Sequence, residues 1–360
     1  MKNIIQQFEL ANEAGEVRPL KIGHINDSFI VESKTTDGTS YFLQKINHHI
    51  FKDVAGLQQN IHLITNHLRQ KLTESGETNI QSRVLQLIPA KDGKLFYKDE
   101  DGSYWRMYVN LTGTHSYDII TPELAYKAGE AFGNFQCLLS DIPHDDLIET
   151  IPDFHNMEFR LKQFREAVNA NIAGRLNETR WLVDEIEKRA DEMCKPERLF
   201  REGKLPKRIN HCDTKVNNLL FDEHDEPVCI VDLDTVMPGF VLSDFGDFMR
   251  SGANTGLEDD ADLNKVGVNM AIFEAYTRGY LKKATFLTDS ELENLAFGAK
   301  LITYMQTVRF FGDYLNGDTY YKIQHEKHNW QRSLAQFKLL QSFEEKFGSM
   351  NKIVNRIASK

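Results

Sequence analysis

The chain has 360 residues, which at roughly 150 residues per domain makes about two domains or one large one. Hydrophobic residues make up 41% and charged residues 27%, which excludes long disorder, a collagen-like repeat and a disulfide scaffold. The 53 acids against 43 bases leave a net charge of -10, arguing against wholesale binding to a nucleic-acid backbone or an anionic membrane while leaving room for a local basic pocket.

The first hundred or so residues are β-rich. Residues 18–22 and 28–33 flank the polar Gly23-His24-Ile25-Asn26-Asp27, and a third strand, 41–46, follows a Thr-Asp-Gly-Thr turn. Leu57, Ile61, Ile64 and Leu68 recur at three- and four-residue spacing and predict a helix over 54–72. Further strands are expected at 82–88, 94–97 and 104–109, joined by turns rich in Asp and Gly. After residue 110 helical periods take over. Thr121-Pro122-Glu123 offers a capping threonine and a first-turn proline for a helix to about Leu139. Helices are also expected over 155–172, 178–193, 259–281, 289–315 and 328–346, with a strand-rich insert at 208–231. The arrangement is a small β-rich lobe, residues 1–110, followed by a larger, mainly helical one, residues 111–360.

The N-terminal MKNIIQQFELANEAGE meets Gln, Glu and Asn before any signal-peptide core, and no run approaches the about 18 apolar residues of a membrane span, so a cytoplasmic location is expected. Cys137, Cys194, Cys212 and Cys229 are scattered, without a Cys-x-x-Cys pair, which suggests neither a disulfide framework nor a thiolate zinc site.

The segment that carries chemistry runs from His211-Cys212-Asp213-Thr214-Lys215-Val216-Asn217-Asn218 to Val231-Asp232-Leu233-Asp234. Phosphoryl transfer from a nucleotide needs a carboxylate near the acceptor hydroxyl and oxygen ligands for magnesium on the phosphates. Asp213 can orient and deprotonate the acceptor, and Asn218, five residues on, can offer a neutral oxygen to the metal. Asp232, at the end of an apolar run, can supply the second ligand.

These residues, with Gly23 to Phe29, Tyr41 to Asn47, Tyr104 to Tyr108, Glu149 to Asn156, Asp232-Leu233-Asp234-Thr235-Val236-Met237-Pro238-Gly239, Asp244-Phe245-Gly246-Asp247 and Arg309 to Tyr320, resemble the aminoglycoside phosphotransferase-like branch of the protein-kinase fold. Within that branch they look like the N-acetylhexosamine 1-kinases. The resemblance covers most of the chain and implies an α+β, bilobal protein-kinase-like fold with a nucleotide-binding lobe, a catalytic and sugar-binding lobe, and the active site between them. It implies ATP and Mg2+ as cofactors and a small-molecule sugar as acceptor. Asp213 would be the catalytic base and touch the acceptor, and Asn218 and Asp232 would hold magnesium. Lys45 would reach the α and β phosphates, the loop at Gly23 would cover them, and the backbone around Tyr108 to Asn110 would take the adenine. Arg309, Tyr320 and His24 would face the hexosamine, with Trp330 and Lys215 as further candidates.

The expected helix, 54–72, holds no acid to pair with Lys45, which leaves Asp53 or Gln59 for that place. Asp234 could touch a second metal or accept loop amides, while Asp244 and Asp247 are expected to brace the catalytic loop from a helix start. Cys194-Lys195-Pro196-Glu197-Arg198 matches the sulfatase pattern Cys-x-Pro-x-Arg, but no carboxylate-rich calcium site accompanies it, and a helix end followed by proline explains it. His325-Glu326-Lys327-His328 lacks the His-Glu-x-x-His spacing, and no phosphate-binding Gly-x-x-x-x-Gly-Lys loop occurs. The competing readings are a kinase of the same fold for another sugar, choline or an aminoglycoside, and a kinase-like binding module without catalysis.

Overall fold

A computed structural model describes residues 1–20, 25–36 and 38–359 of the protein. In chain order it begins with α1 (Lys2–Ile5), β1 (Ala14–Leu20), β2 (Asp27–Ser33), β3 (Tyr41–Ile46), α2 (Val54–Glu74), α3 (Ile80–Arg83), β4 (Leu87–Ile88), β5 (Tyr97–Lys98) and β6 (Tyr104–Val109). There follow α4 (Pro122–Leu138), α5 (Met157–Ala170), α6 (Leu176–Met193), α7 (Lys195–Arg201), β7 (Arg208–Asn210), β8 (Leu219–Phe221), β9 (Pro227–Ile230) and β10 (Met237–Gly239). The chain ends with α8 (Val241–Gly252), α9 (Met270–Lys283), α10 (Asp289–Leu315) and α11 (His328–Ala358). Among the described residues no helix is long and apolar enough to cross a membrane.

The residues form two compact units, one of Met1–Ser116, Asp145–Ile151 and Leu219–Met237, the other of Tyr117–His144, Pro152–Asn218 and Pro238–Lys360. The first is built on an antiparallel sheet in the order β1-β2-β3-β6-β4, with β5 also paired to β6, and it includes the β8-β9 hairpin. Alternation along β2, β3 and β6 sends Val31, Leu43, Trp105 and Met107 to one face, where they pack with Ile5 and Phe8. Helix α2 buries Leu57, Ile61, Ile64 and Leu68, the stripe its spacing predicts, and Asp53 caps it by accepting the Gly56 N–H at 2.9 Å.

The second unit is helical. Thr121 caps α4 through the Leu124 N–H, with Pro122 at the first position, and α10 opens on a reciprocal capping box between Thr288 and Glu291. Helix α10 packs on α5, α8 and α11, and its middle is buried nearly all round. The α8–α10 crossing depends on glycine: a Cβ on Gly246 would overlap the carbonyl oxygen of Gly298, and one on Gly298 would overlap that of Leu242.

Several expectations need correction: the helix foreseen over 328–346 runs on to Ala358, and the strand foreseen at 94–97 is reduced to Tyr97–Lys98. Of the strand foreseen at 82–88 only Leu87–Ile88 forms, because α3 takes the chain as far as Arg83. The helix foreseen from 259 begins at Met270, where the Asn269 side chain caps the Ala271 and Ile272 N–H groups. Pro196 does more than follow a helix end: it occupies the first turn of α7, where a missing N–H leaves no bond unmade.

Candidate active site

Asp213 and Asn218 belong to the helical unit, while Asp232, Asp234 and Lys45 belong to the sheet unit. In the helical unit, β7 leads into the loop that begins at His211. The Asp244 carboxylate, in the first turn of α8, accepts the His211 N–H at Oδ2 and the Cys212 N–H at Oδ1, each at 2.8 Å, and the Gln136 amide, also at 2.8 Å. Thr214 Oγ1 returns a hydrogen bond to the Asp244 carbonyl at 2.5 Å. This clamp holds Cys212 in the left-handed region, at φ +61°, a conformation that a non-glycine residue keeps only when its surroundings enforce it. Burial pushes the Asp244 carboxyl up to about 6, against the pull of His211 and of the two backbone N–H groups. Asp244 thus braces the loop that begins at His211, as expected. Asp247, one turn on, pairs with Arg250 at 2.9 Å.

The loop delivers Asp213 with its side chain 23% exposed, open to a ligand. Oδ1 pairs with Lys215 Nζ at 2.9 Å, and Oδ2 accepts from Asn218 Nδ2 at 3.1 Å. The same amide nitrogen donates to the Asp213 carbonyl at 2.8 Å. Burial acts to raise the Asp213 carboxyl, but Lys215, with His211 and Arg250, overcomes it and holds the group below its ordinary value. An ionised carboxylate is what a general base requires.

In the sheet unit Asp232 follows β9 in the left-handed conformation, φ +60°, and opens a single 3₁₀ turn. Among the described residues the Asp234 carboxylate is engaged by side chains. Its Oδ1 forms an ion pair with Arg106, its Oδ2 accepts from Asn26 Nδ2 at 2.7 Å, and its carbonyl accepts from Thr150 Oγ1 at 2.8 Å. Arg106, on β6, also donates to Gln44 Oε1 from Nε at 2.9 Å and Nη2 at 2.7 Å, and it lies 5.3 Å from the Tyr108 ring. Burial acts to lower the Arg106 guanidinium, and Asp234 more than compensates. From α2 the buried Gln58 faces this cation: with its amide oriented so that both its oxygen and its nitrogen are satisfied, the oxygen accepts from Arg106 Nη1 at 3.2 Å.

Lys45 stands across from Trp105 in the β3–β6 register, whereas its neighbour Gln44 stands across from Arg106. Successive strand residues face opposite ways, so Lys45 turns away from Asp234, with Nζ 5.9 Å over the Trp105 ring. Of its two expected helix partners, Asp53 caps α2 and Gln59 is exposed. Tyr108 is buried, and burial raises its hydroxyl. The Val109 N–H is bonded to the Gln86 carbonyl at 2.9 Å and the Asn110 N–H to that of Ser40 at 3.0 Å. Gly23 and His24 lie outside the described residues.

Arg309 and Tyr320 are brought together. The Arg309 guanidinium lies 4.8 Å from the Phe154 ring, 5.6 Å from Tyr321 and 5.8 Å from Tyr320. Tyr320 is 49% exposed, so this cluster opens to solvent. His155 stacks on Phe154 at 4.5 Å and is pushed down to about 3 by burial, then by Arg309 and Arg160, with Asp213 acting the other way. The imidazole is therefore neutral, and the field of Asp213 reaches this cluster. Trp330 is part-buried and packs against the helical core, with its ring 5.5 and 5.7 Å from those of Phe311 and Tyr314. Arg106, Phe154, Arg160 and Asp313 have no expected role from the sequence, although all but Arg160 lie in the resembling segments.

Among the described residues no three His, Cys, Asp or Glu side chains gather as a metal site. Magnesium on nucleotide phosphates asks for less, one or two protein oxygens beside those of the phosphates. The Asp232 carboxylate and the Asn218 amide oxygen, whose nitrogen is engaged by Asp213, are hard donors of that kind.

The model of the phosphotransferase enzyme family called APH matches residues 16–284. Among solved structures, an aminoglycoside phosphotransferase from Alicyclobacillus acidocaldarius is 13% identical with a TM-score of 0.62, the match covering 99% of this chain and 96% of that one. A microcompartment-associated aminopropanol kinase matches at 13% identity and TM-score 0.59, covering 97% of each chain. A Plasmodium vivax ethanolamine kinase matches at 14% and 0.55, covering 93% of this chain and 84% of its own. These likenesses establish the α+β, protein-kinase-like fold, with its β-rich N-terminal and helical C-terminal parts.

Proposed function

The chain belongs to the APH phosphotransferase enzyme family, and on that premise we propose that it transfers the γ-phosphate of ATP, with magnesium, to the anomeric hydroxyl of an N-acetylhexosamine. The observation that carries the reading is the ionised Asp213, held between Lys215 and Asn218 in the unit that gathers Arg309 and Tyr320. A carboxylate oxygen of Asp213 accepts the proton of the attacking hydroxyl, and the transfer is direct and in line. Magnesium, held by Asn218 and Asp232, would neutralise charge on the phosphates. Residues 1–110 would bind the nucleotide and residues 111–360 the sugar, with Arg309, Tyr320 and His24 on the sugar's hydroxyl and acetamido groups. Gly23 and Lys45 would meet the phosphates and Tyr108 to Asn110 the adenine. For Lys45 this requires the ammonium to pass the end of β3 from the Trp105 face.

Charge favours a sugar over the other acceptors of this fold. Choline, amino alcohols and aminoglycosides are cations, and a site holding Arg309 beside Arg160 repels them. The preserved, ionised Asp213 speaks against a catalytically dead module. The test is ADP release from ATP and magnesium across N-acetylglucosamine, N-acetylgalactosamine, choline and kanamycin. Release dependent on an added N-acetylhexosamine is expected; turnover of choline or kanamycin alone, or of nothing in a broad panel, overturns the reading.

A further inference from the structure

Most arginines with defined contacts in the helical unit meet a carboxylate. Arg165 pairs with Glu187 at 2.7 Å, Arg189 with Glu344 at 2.7 Å, Arg175 with Asp318 at 2.6 Å and Arg250 with Asp247 at 2.9 Å. Arg160, in the first turn of α5, and Arg309, on α10, are different. Among the described residues their hydrogen bonds go to neutral oxygens: Arg160 to the Phe154 carbonyl at 3.0 Å and to Gln163 Oε1 at 2.8 Å, and Arg309 to Gln306 Oε1 at 3.1 Å.

Both guanidiniums lie against the ring of Phe154, 5.8 and 4.8 Å from its centre, and the charge of Arg309 acts on Arg160. Arg160 is lowered to about 10 by burial and then by Arg309. Asp153 ranks behind Tyr321 and Tyr320 in opposing that shift, and its Oδ1 accepts from Asn156 at 2.7 Å. Nearby, His155 Nδ1 is buried without a hydrogen-bond partner among the described residues. Two part-buried like charges side by side, with no carboxylate hydrogen-bonded to either among the described residues, repel one another, and a ligand anion would relieve that repulsion.

We infer that the acceptor carries an acidic oxyanion, a carboxylate or a phosphate, which Arg160 and Arg309 receive together over the Phe154 ring. Guanidiniums suit this task because their paired N–H groups match the two oxygens of a carboxylate or phosphate. The half-exposed Tyr320 ring leaves the cluster open to a ligand, and the field of Asp213 on His155 puts the base within electrostatic range. The inference rests on the reading of Arg309 and Tyr320 as acceptor-binding residues and adds Arg160 as the residue that selects for charge.

The experiment compares kcat/KM for N-acetylglucosamine, its 3-O-lactyl ether, which carries a carboxylate, and its 6-phosphate. Wild-type protein is expected to prefer at least one acidic sugar by about tenfold, the two arms telling carboxylate from phosphate. Arg160→Gln should shrink the acidic-to-neutral ratio by about tenfold, and Arg160→Lys should keep most of it. A second readout needs no turnover: calorimetric titration of inorganic phosphate into ATP-free protein, with binding expected in the wild type and weakened about tenfold in Arg160→Gln. If no hexosamine is turned over but Arg160-dependent phosphate binding persists, the hexosamine reading fails and the anion site stands. An unchanged acidic-to-neutral ratio in Arg160→Gln, together with phosphate binding indifferent to Arg160, overturns it.

Discussion

Arg106 and Asp234 form an ion pair whose side chains are 1% and 4% exposed, and 128 positions of sequence separate them. It ties the central sheet to the turn that begins at Asp232, and Asn26 and Thr150 complete the hydrogen bonding of Asp234. Removing one member of a buried pair leaves the other charge without a counter-ion. Asp234→Leu is therefore expected to lower stability by about 3–5 kcal/mol in denaturant unfolding, and Arg106→Met with Asp234→Leu to recover much of that loss. A single-variant loss below about 1 kcal/mol, the scale of an exposed pair, would count against a structural role for the pair.

Asp313, on α10, organises the loop that carries Tyr320. Its Oδ1 accepts the N–H groups of Thr319 and Tyr320, both at 2.9 Å, and its Oδ2 accepts the Tyr321 N–H at 3.0 Å and the Asn329 amide at 2.9 Å. Asparagine keeps the shape but replaces one acceptor oxygen by a donor facing N–H groups. Asp313→Asn is expected to raise KM for the sugar about tenfold while KM for ATP stays within about twofold, since a hydrogen bond to a charged group contributes about 1.5–3 kcal/mol. Equal effects on both constants would indicate general loosening instead.

Glu197 gives the fold a pH signature. Burial pushes its carboxyl up to about 7 from an ordinary 4.5, with the Met157 N–H, bonded to Oε1 at 2.6 Å, pulling the other way. Between those two values the folded protein holds a proton that the unfolded chain has released, so stability falls as pH rises through this window. Glu197→Gln should remove that slope and be the more stable protein above about pH 7, measured by thermal unfolding from pH 5 to 8. Parallel profiles for the two proteins would contradict the assignment.

Much of this was legible in the sequence because it is local. Strand 41–46, strand 104–109 and helix 289–315 have the bounds their patterns predict, and the His-x-Asp-x-x-x-x-Asn spacing brings Asp213 and Asn218 into contact. What was not legible depends on partners distant in sequence. The face that Lys45 presents is set by the register that pairs it with Trp105, and the cation that reaches Asp234 is Arg106, from another strand. Arg160 stands out only once α5 packs on α10 and Arg309 comes to share the Phe154 ring. Pro196 read as a helix stop because proline favours both the residues after one helix and the first turn of the next, and only the chain's path distinguishes them.

Asp213→Asn separates catalysis from folding. The amide keeps the size of the side chain but cannot take a proton at pH 7, so turnover is expected to fall at least about a hundredfold. Thermal unfolding should still be cooperative, because Asp244 holds the loop backbone through His211 and Cys212 independently of Asp213. Near-wild-type turnover in the folded variant would remove Asp213 from the role of base.

The most direct measurement is phosphorus-coupled NMR of the product formed from ATP, magnesium and N-acetylhexosamines. Coupling of phosphorus to the anomeric proton is the predicted result; coupling to the C6 protons, or no phosphorylated sugar at all, would contradict the assignment of a sugar 1-kinase.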